Sequence, residues 1–158
     1  MTGHVIEMHI ATKRDASVES QTSVQLEAGH GIVGDRNFLS QQALDIGGKP
    51  RRKEDISIIS ADELDAFNAQ FELNIPYGEF RRNIVSRGID LNELVGKRFR
   101  IGTALCEGME LCEPCSKLAK GVSRLVLPHL VQRAGIRAAV LESGQVVLGD
   151  TIEETNDL

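Results

Sequence analysis

Residues 97–112 read KRFRIGTALCEGMELC, and the way this stretch is divided decides the fold class. Three short runs, 97–101, 103–107 and 109–112, have strand character, and Gly102 and Gly108 between them read as turns. Upstream, Asp90-Leu-Asn-Glu93 is a helix-cap signal that stops at Gly96, which predicts one helical turn before the first run. Residues 80–86 return to strand character. Further back, Ser60-Ala-Asp-Glu63 forms a capping box followed by Leu64, Phe67 and Phe71 on one helical face, the clearest helix of the chain. Residues 56–59 read as a buried strand, and 4–11 and 23–27 as two earlier ones, the first with Glu7 and His9 among its apolar positions. Downstream, short helical pieces are punctuated by Gly121, Pro128 and Gly135. Residues 137–141 and 145–148 around Ser143-Gly144 read as a hairpin, and 151–153 as a last strand. Many short strands with few helices predict a mainly β protein with short helices, an α+β chain built on a barrel or sandwich.

At 158 residues, without repeat or linker, residues 1–158 are expected to form a single domain. No apolar run is long enough to span a bilayer, and residues 1–14 offer no uninterrupted signal-peptide core, so no membrane association and a cytoplasmic location are expected. Eighteen basic against twenty-three acidic residues give a net charge of -5, which disfavours nucleic acid as a partner. The absence of tryptophan and the single tyrosine argue against stacking platforms for single strands. The basic residues are nevertheless clustered, at Arg51-Arg52, at Arg81-Arg82 and at Lys117, Lys120 and Arg124, so local anion binding stays open. Three cysteines cannot form a complete disulfide framework, and their use lies in reactivity or packing.

Three features carry chemistry. Gly29-His-Gly31-Ile-Val-Gly34 matches GxGxxG, but no strong amphipathic helix follows it and βαβ alternation is absent, so a glycine turn needing positive φ outweighs a nucleotide loop. Asp35-Arg36 after it can serve as a charge pair beside a ligand. Cys112-Glu-Pro-Cys115 lacks the second ligand pair that structural zinc needs, and it comes too late among short strands for a thioredoxin-like dithiol. A thiolate at Cys115, opening a helical piece with Lys117 nearby, suits metal ligation or persulfide chemistry, while Cys106 reads as core. Glu113 beside it works against that thiolate. Arg81 and Arg82, read as strand residues, point to opposite faces, and the inward one calls for an anion or a salt bridge.

Taken in order, Gly31-Ile-Val-Gly-Asp-Arg36, Phe80-Arg-Arg-Asn-Ile-Val85, residues 91–102, Cys112-Glu-Pro-Cys115 and Gly135-Ile-Arg-Ala-Ala-Val-Leu141 leading to Leu148-Gly-Asp150 resemble the MOSC family, named for the C-terminal domain of molybdenum cofactor sulfurase. The resemblance covers nearly the whole chain and is closest to small stand-alone bacterial members. It implies a MOSC-type β-barrel, a pocket for the molybdenum cofactor (molybdopterin) and a cysteine thiolate reaching the metal. The signature cysteine falls on Cys115, and the arginine of the FRxN-like segment on Arg81 with Asn83 beside it. Arg36, Arg81, Arg82 and Lys117 are the cationic candidates for cofactor binding, and a soft thiolate suits a thiophilic metal. Some members reduce N-hydroxylated compounds, which implies an electron-donor reductase as partner. Others handle sulfur for metal-sulfur clusters, which implies a cysteine desulfurase and a persulfide carried on Cys115. The desulfurase domain of the sulfurases is not recognised here, so no pyridoxal phosphate is expected in this chain.

Overall fold

A computed structural model describes residues 2–13, 15–49, 54–113, 125 and 129–156. In chain order its strands are β1 (Thr2–Ile10), β2 (Glu19–Gln21), β3 (Ser23–Glu27), β4 (Gly31–Ile32), β5 (Ile56–Ser60), β6 (Ile84–Arg87), β7 (Arg98–Ile101), β8 (Ala104–Leu111), β9 (Ile136–Glu142), β10 (Gly144–Val147) and β11 (Thr151–Glu154). Two helices, α1 (Arg36–Ile46) and α2 (Ala61–Gln70), and two 3-10 turns, Tyr77–Phe80 and Leu91–Leu94, complete the described elements. Strands β11, β7, β8, β9, β5, β6 and β1 are hydrogen-bonded in that order, and β1 pairs back onto β11, closing a seven-stranded barrel. β2 extends β1 outside the ring, and β10, β3 and β4 form a small separate sheet. The β5–β6 pair is parallel and the other pairs in the ring are antiparallel.

The alternation of side chains along each strand sorts two cores. Val5, Met8, Ile56, Ile58, Ile84, Phe99, Ile101, Ile136, Ala138 and Ile152 fill the barrel interior, with Cys106 among them. Each large aliphatic residue removed from water there contributes about 1.5–3 kcal/mol. Ile59 and Val85 point to the outer wall instead, where Leu64 and Phe67 of α2, Phe80 and Leu130 cover them. α2 starts where the sequence predicts: Ser60 is its N-cap, and its Oγ accepts from the Glu63 N–H at 3.4 Å. The Glu63 carboxylate does not return to close the box, since it pairs with Arg133 at 2.6 Å. The turn after Asp90 also forms, with the Asp90 carboxylate accepting from the Asn92 N–H.

Several expectations are corrected. β8 is one strand across residues 104–111, and Gly108 is a bulge rather than a turn, because Leu94–Val95 cross it so closely that a Cβ would stand 2.2 Å from the Leu94 carbonyl oxygen. β9 and β10 do not form a hairpin, since β10 leaves the barrel to pair with β3. Residues 80–83 are not strand: Phe80 ends a 3-10 turn, Arg81 is left-handed at φ 61°, and β6 begins at Ile84. A helix does follow Gly34. α1 escaped notice because it is amphipathic only weakly, burying Phe38 and Gln41 and leaving Ile46 89% exposed. The glycine motif itself is the turn expected of it, with Gly29, Gly31 and Gly34 all at positive φ around the antiparallel β3–β4 pair. At Gly31 a Cβ would lie 2.3 Å from the Asp55 carbonyl oxygen. Among the described residues no helix is long and apolar enough to cross a membrane.

Candidate functional site

The outer wall of the barrel over β9, β5, β6 and β1 has two halves. α2 and its apolar neighbours cover one, and the other carries a row of polar side chains running across the strands. Strand register builds that row. Arg137 on β9 pairs with Ser57 on β5, and the parallel match of Ile58 with Ile84 sets Ser57 beside Asn83. The His9 N–H donates to the Asn83 carbonyl at 2.7 Å, and His9 pairs with Ser20 on β2. In each case the strand neighbours, Ile56 and Ile58, Ile136 and Ala138, Met8, face the barrel core, so the row faces outward.

Asn83, 6% exposed, fastens the row. Its side-chain oxygen accepts from the Ser57 N–H at 3.0 Å and from Ser57 Oγ at 3.3 Å, and its amide nitrogen donates to the His9 carbonyl at 3.2 Å. Ser57 Oγ accepts in turn from the Asn83 N–H at 3.0 Å.

Arg81 and Arg82 enter beside this row, both half-buried. The expectation that they diverge to opposite faces fails: the left-handed turn at Arg81 breaks the strand alternation, and both line one recess with Arg36, Asn83 and Arg137. Arg82 Nε donates to the Ala134 carbonyl at 3.2 Å. Arg36 reaches the recess because β1 and α1 are stitched together. Its N–H donates to the Ala11 carbonyl at 2.8 Å, while Asp35 accepts from the Ala11 N–H at 3.0 Å and from the Asn37 N–H at 3.3 Å as N-cap. Among the described lining residues the recess therefore sets four guanidiniums against one carboxylate, and that carboxylate is already engaged by backbone. Neither Arg36 nor Arg137 makes an ion pair with a described residue. Arg137, half-buried without a carboxylate, is a natural partner for an oxyanion, and Arg36 adds an exposed charge at the rim.

The cysteine motif leaves the barrel next to this recess. Cys112 follows β8 and is 2% exposed, and its N–H donates to the Gly135 carbonyl at 2.8 Å. Burial pushes its thiol above the ordinary range, although the charges of Arg82 and Arg137 pull the other way. Cys106 lies inside the barrel, and burial likewise pushes its thiol up. The Glu113 carboxylate accepts from the Gln132 N–H at 3.2 Å. Cys115 and Lys117 lie outside the described residues. No cluster of three or more His, Cys, Asp or Glu suited to a metal ion occurs among the described residues.

Of the expected site residues, Arg36, Arg81, Arg82 and Asn83 come together in one recess, from two separate stretches of the chain. Arg137, His9 and Ser57 belong to the same recess and were not expected. Alternation along 136–140 marks Arg137 as outward-facing, but only the strand order reveals that its neighbours are Ser57 and Asn83.

A closed barrel with an arginine-lined recess on its outer wall and a cysteine motif leaving beside it is, as a class, a compact β-barrel suited to an anionic ligand. The sequence profile of the MOSC domain matches residues 41–153, and the chain belongs to the MOSC domain family. Solved structures agree on the fold. YuaD from Bacillus subtilis superposes with a TM-score of 0.77 at 21% identity, covering 99% of this chain and 98% of that one. YiiM from Geobacillus stearothermophilus gives 0.70 at 15% identity over 98% of this chain and 75% of that one. YiiM from Escherichia coli gives 0.66 at 17% identity over 98% and 71%. Comparison with curated protein sequences finds no match.

Proposed function

We propose that this protein binds the molybdenum cofactor across the arginine recess, with Cys115 as the thiolate that meets the metal, and acts as an oxidoreductase on N-hydroxylated compounds. The observation that supports this reading is the gathering of Arg36, Arg81, Arg82 and Arg137 on one outer face, beside Cys112, three positions before Cys115. The donor set fits the group. Guanidiniums suit its phosphate and its hydrogen-bond acceptors, and one soft thiolate suits a thiophilic metal held mainly by its own ligand. When bound, the cofactor supplies a redox-active molybdenum centre able to remove an oxygen atom from a substrate.

The chain does the rest. Arg36 and Arg137 draw the anionic part of the ligand to the wall, and Arg81 and Arg82 close on it from the turn before β6. Asn83 and Ser57 hold these elements in register, and burial favours the neutral thiol at Cys112, which leaves the ligand role to Cys115. Electrons for such a reaction come from a separate reductase as partner.

Anaerobic reconstitution with the cofactor followed by metal analysis tests the assignment. Near-stoichiometric molybdenum in the wild type and a large loss in Cys115→Ala are expected, and equal metal in both contradicts the ligand role. The spacing of Cys112 and Cys115 favours a second reading, a persulfide carrier served by a cysteine desulfurase, in which the Cys112 sulfur, on losing its proton, attacks Cys115 Sγ of the persulfide, the Cys112–Cys115 disulfide forms and the outer sulfur leaves as hydrosulfide. Mass spectrometry after incubation with a desulfurase and cysteine decides it: an added sulfur on Cys115 supports the carrier, and an unmodified Cys115 excludes it.

A further inference from the structure

We infer that Glu113 is a positioning residue, whose carboxylate fastens the cysteine motif to residues 132–135 and thereby sets Cys115 beside the arginine recess. The inference rests on the cofactor-binding reading for the part that Cys115 plays there. In the sequence Glu113 reads as a charge that works against a thiolate. In the structure its carboxylate is committed to backbone, accepting from the Gln132 N–H at 3.2 Å.

Gln132 is held at its other backbone group as well. Its carbonyl accepts from Asn92 Nδ2 at 2.8 Å, and Asn92 belongs to the 3-10 turn capped by Asp90. Gln132 is the third residue of a turn closed by the Arg133 N–H on the Leu130 carbonyl at 2.9 Å, and it stands at φ 63°. Glycine ordinarily supplies that conformation in a turn. A glutamine keeps it where its surroundings fix it, and Asn92 and Glu113 fix it from either end.

The residues after Gln132 complete a bracket. Arg133 Nε donates to Glu63 of α2 at 2.6 Å, the Ala134 carbonyl accepts from Arg82 Nε at 3.2 Å, and the Gly135 carbonyl accepts from the Cys112 N–H at 2.8 Å. Gly135 lies so close to the Ile58 carbonyl of β5 that no Cβ fits between them. Four successive residues therefore join α2, the recess and the cysteine motif to one wall. The charges of Arg82 and Arg137 reach the Cys112 thiol from the recess side. Cys112 is anchored through its backbone and Glu113 through its side chain, and two anchors set the heading of a chain that one would let swing. Cys115 follows two residues on, its Cα within about 7 Å of that of Glu113.

Such a bond needs an acceptor oxygen and no charge, which separates positioning from electrostatics. Glu113→Gln keeps an oxygen for the Gln132 N–H, and Glu113→Ala keeps none. Glu113 is exposed, so both variants are expected to unfold close to the wild-type urea midpoint. Anaerobic titration with the molybdenum cofactor is expected to give Glu113→Gln an affinity within about twofold of the wild type and Glu113→Ala one at least about fivefold weaker. A nitroxide on Cys115, with Cys106 and Cys112 buried, reads the same geometry without cofactor. Its spectrum should match the wild type in Glu113→Gln and show greater mobility in Glu113→Ala, and hydrogen exchange at the Gln132 amide should quicken only in Glu113→Ala. Equal label mobility in the wild type and Glu113→Ala overturns the inference, as does equal cofactor affinity, and so does a Glu113→Gln as impaired as Glu113→Ala. A wild type that takes up no molybdenum refutes the cofactor reading, and the label and exchange measurements then decide the positioning of Cys115 on their own.

Discussion

Asn83 illustrates how a single side chain sets the recess. Family resemblance places it among the cofactor contacts, whereas its amide is engaged on Ser57 and on the His9 carbonyl. It is therefore a positioning residue, joining three strands beneath the arginines. Asn83→Ala leaves a buried N–H and a buried carbonyl unpaired, and a loss of about 2–4 kcal/mol in urea unfolding is expected. An unchanged midpoint contradicts the role. The cysteines make a second test at this scale. Cys106 and Cys112 are buried with thiols pushed up, so mapping of iodoacetamide adducts on the native protein should find Cys115 labelled first. Equal labelling of Cys106 refutes that order. The paired arginines were legible in the sequence as anion candidates, but their shared direction was not. It depends on a left-handed Arg81, a conformation that residue type alone does not announce.

Among the elements, β8 carries the sharpest lesson. The glycines before it and within it look alike in sequence, yet Gly102 turns the chain at φ 55° while Gly108 stays in the strand and makes room for the crossing of Leu94–Val95. The Gly96 N–H donates to the Gly108 carbonyl at 2.8 Å, and the Gly108 N–H to the Lys97 carbonyl at 3.0 Å, so the crossing is hydrogen-bonded on both sides. Gly108→Ala drives a methyl against fixed backbone, and a loss of about 2 kcal/mol or more in thermal or urea unfolding is expected, with little change at a control glycine such as Gly47, which is at φ -79° and where a Cβ would meet only ordinary van der Waals contacts. A neutral Gly108→Ala contradicts the close approach. β3, β5, α2 and the turn after Asp90 were legible because local signals agree with their tertiary setting: alternation, a cap and an apolar face. β10 was legible as a strand but its pairing was not, because its partner β3 lies more than a hundred residues away and the short loop after β9 mimics a hairpin.

For the whole molecule, barrel closure by β1 and β11 is what brings distant segments to one wall. Arg36, Arg81, Arg82 and Arg137 span most of the chain, and only the ring order β9, β5, β6, β1 makes them neighbours. The fold class and most of the arginine set could thus be read from the chain, whereas the recess as a geometric object required the register. Equilibrium binding of the isolated cofactor under anaerobic conditions tests its role most directly, comparing the wild type with the double variant Arg36→Gln and Arg137→Gln. At least about tenfold weaker binding by the double variant, with folding intact by circular dichroism, is the predicted result. Equal affinity in the two proteins contradicts the assignment of the recess as the seat of the cofactor.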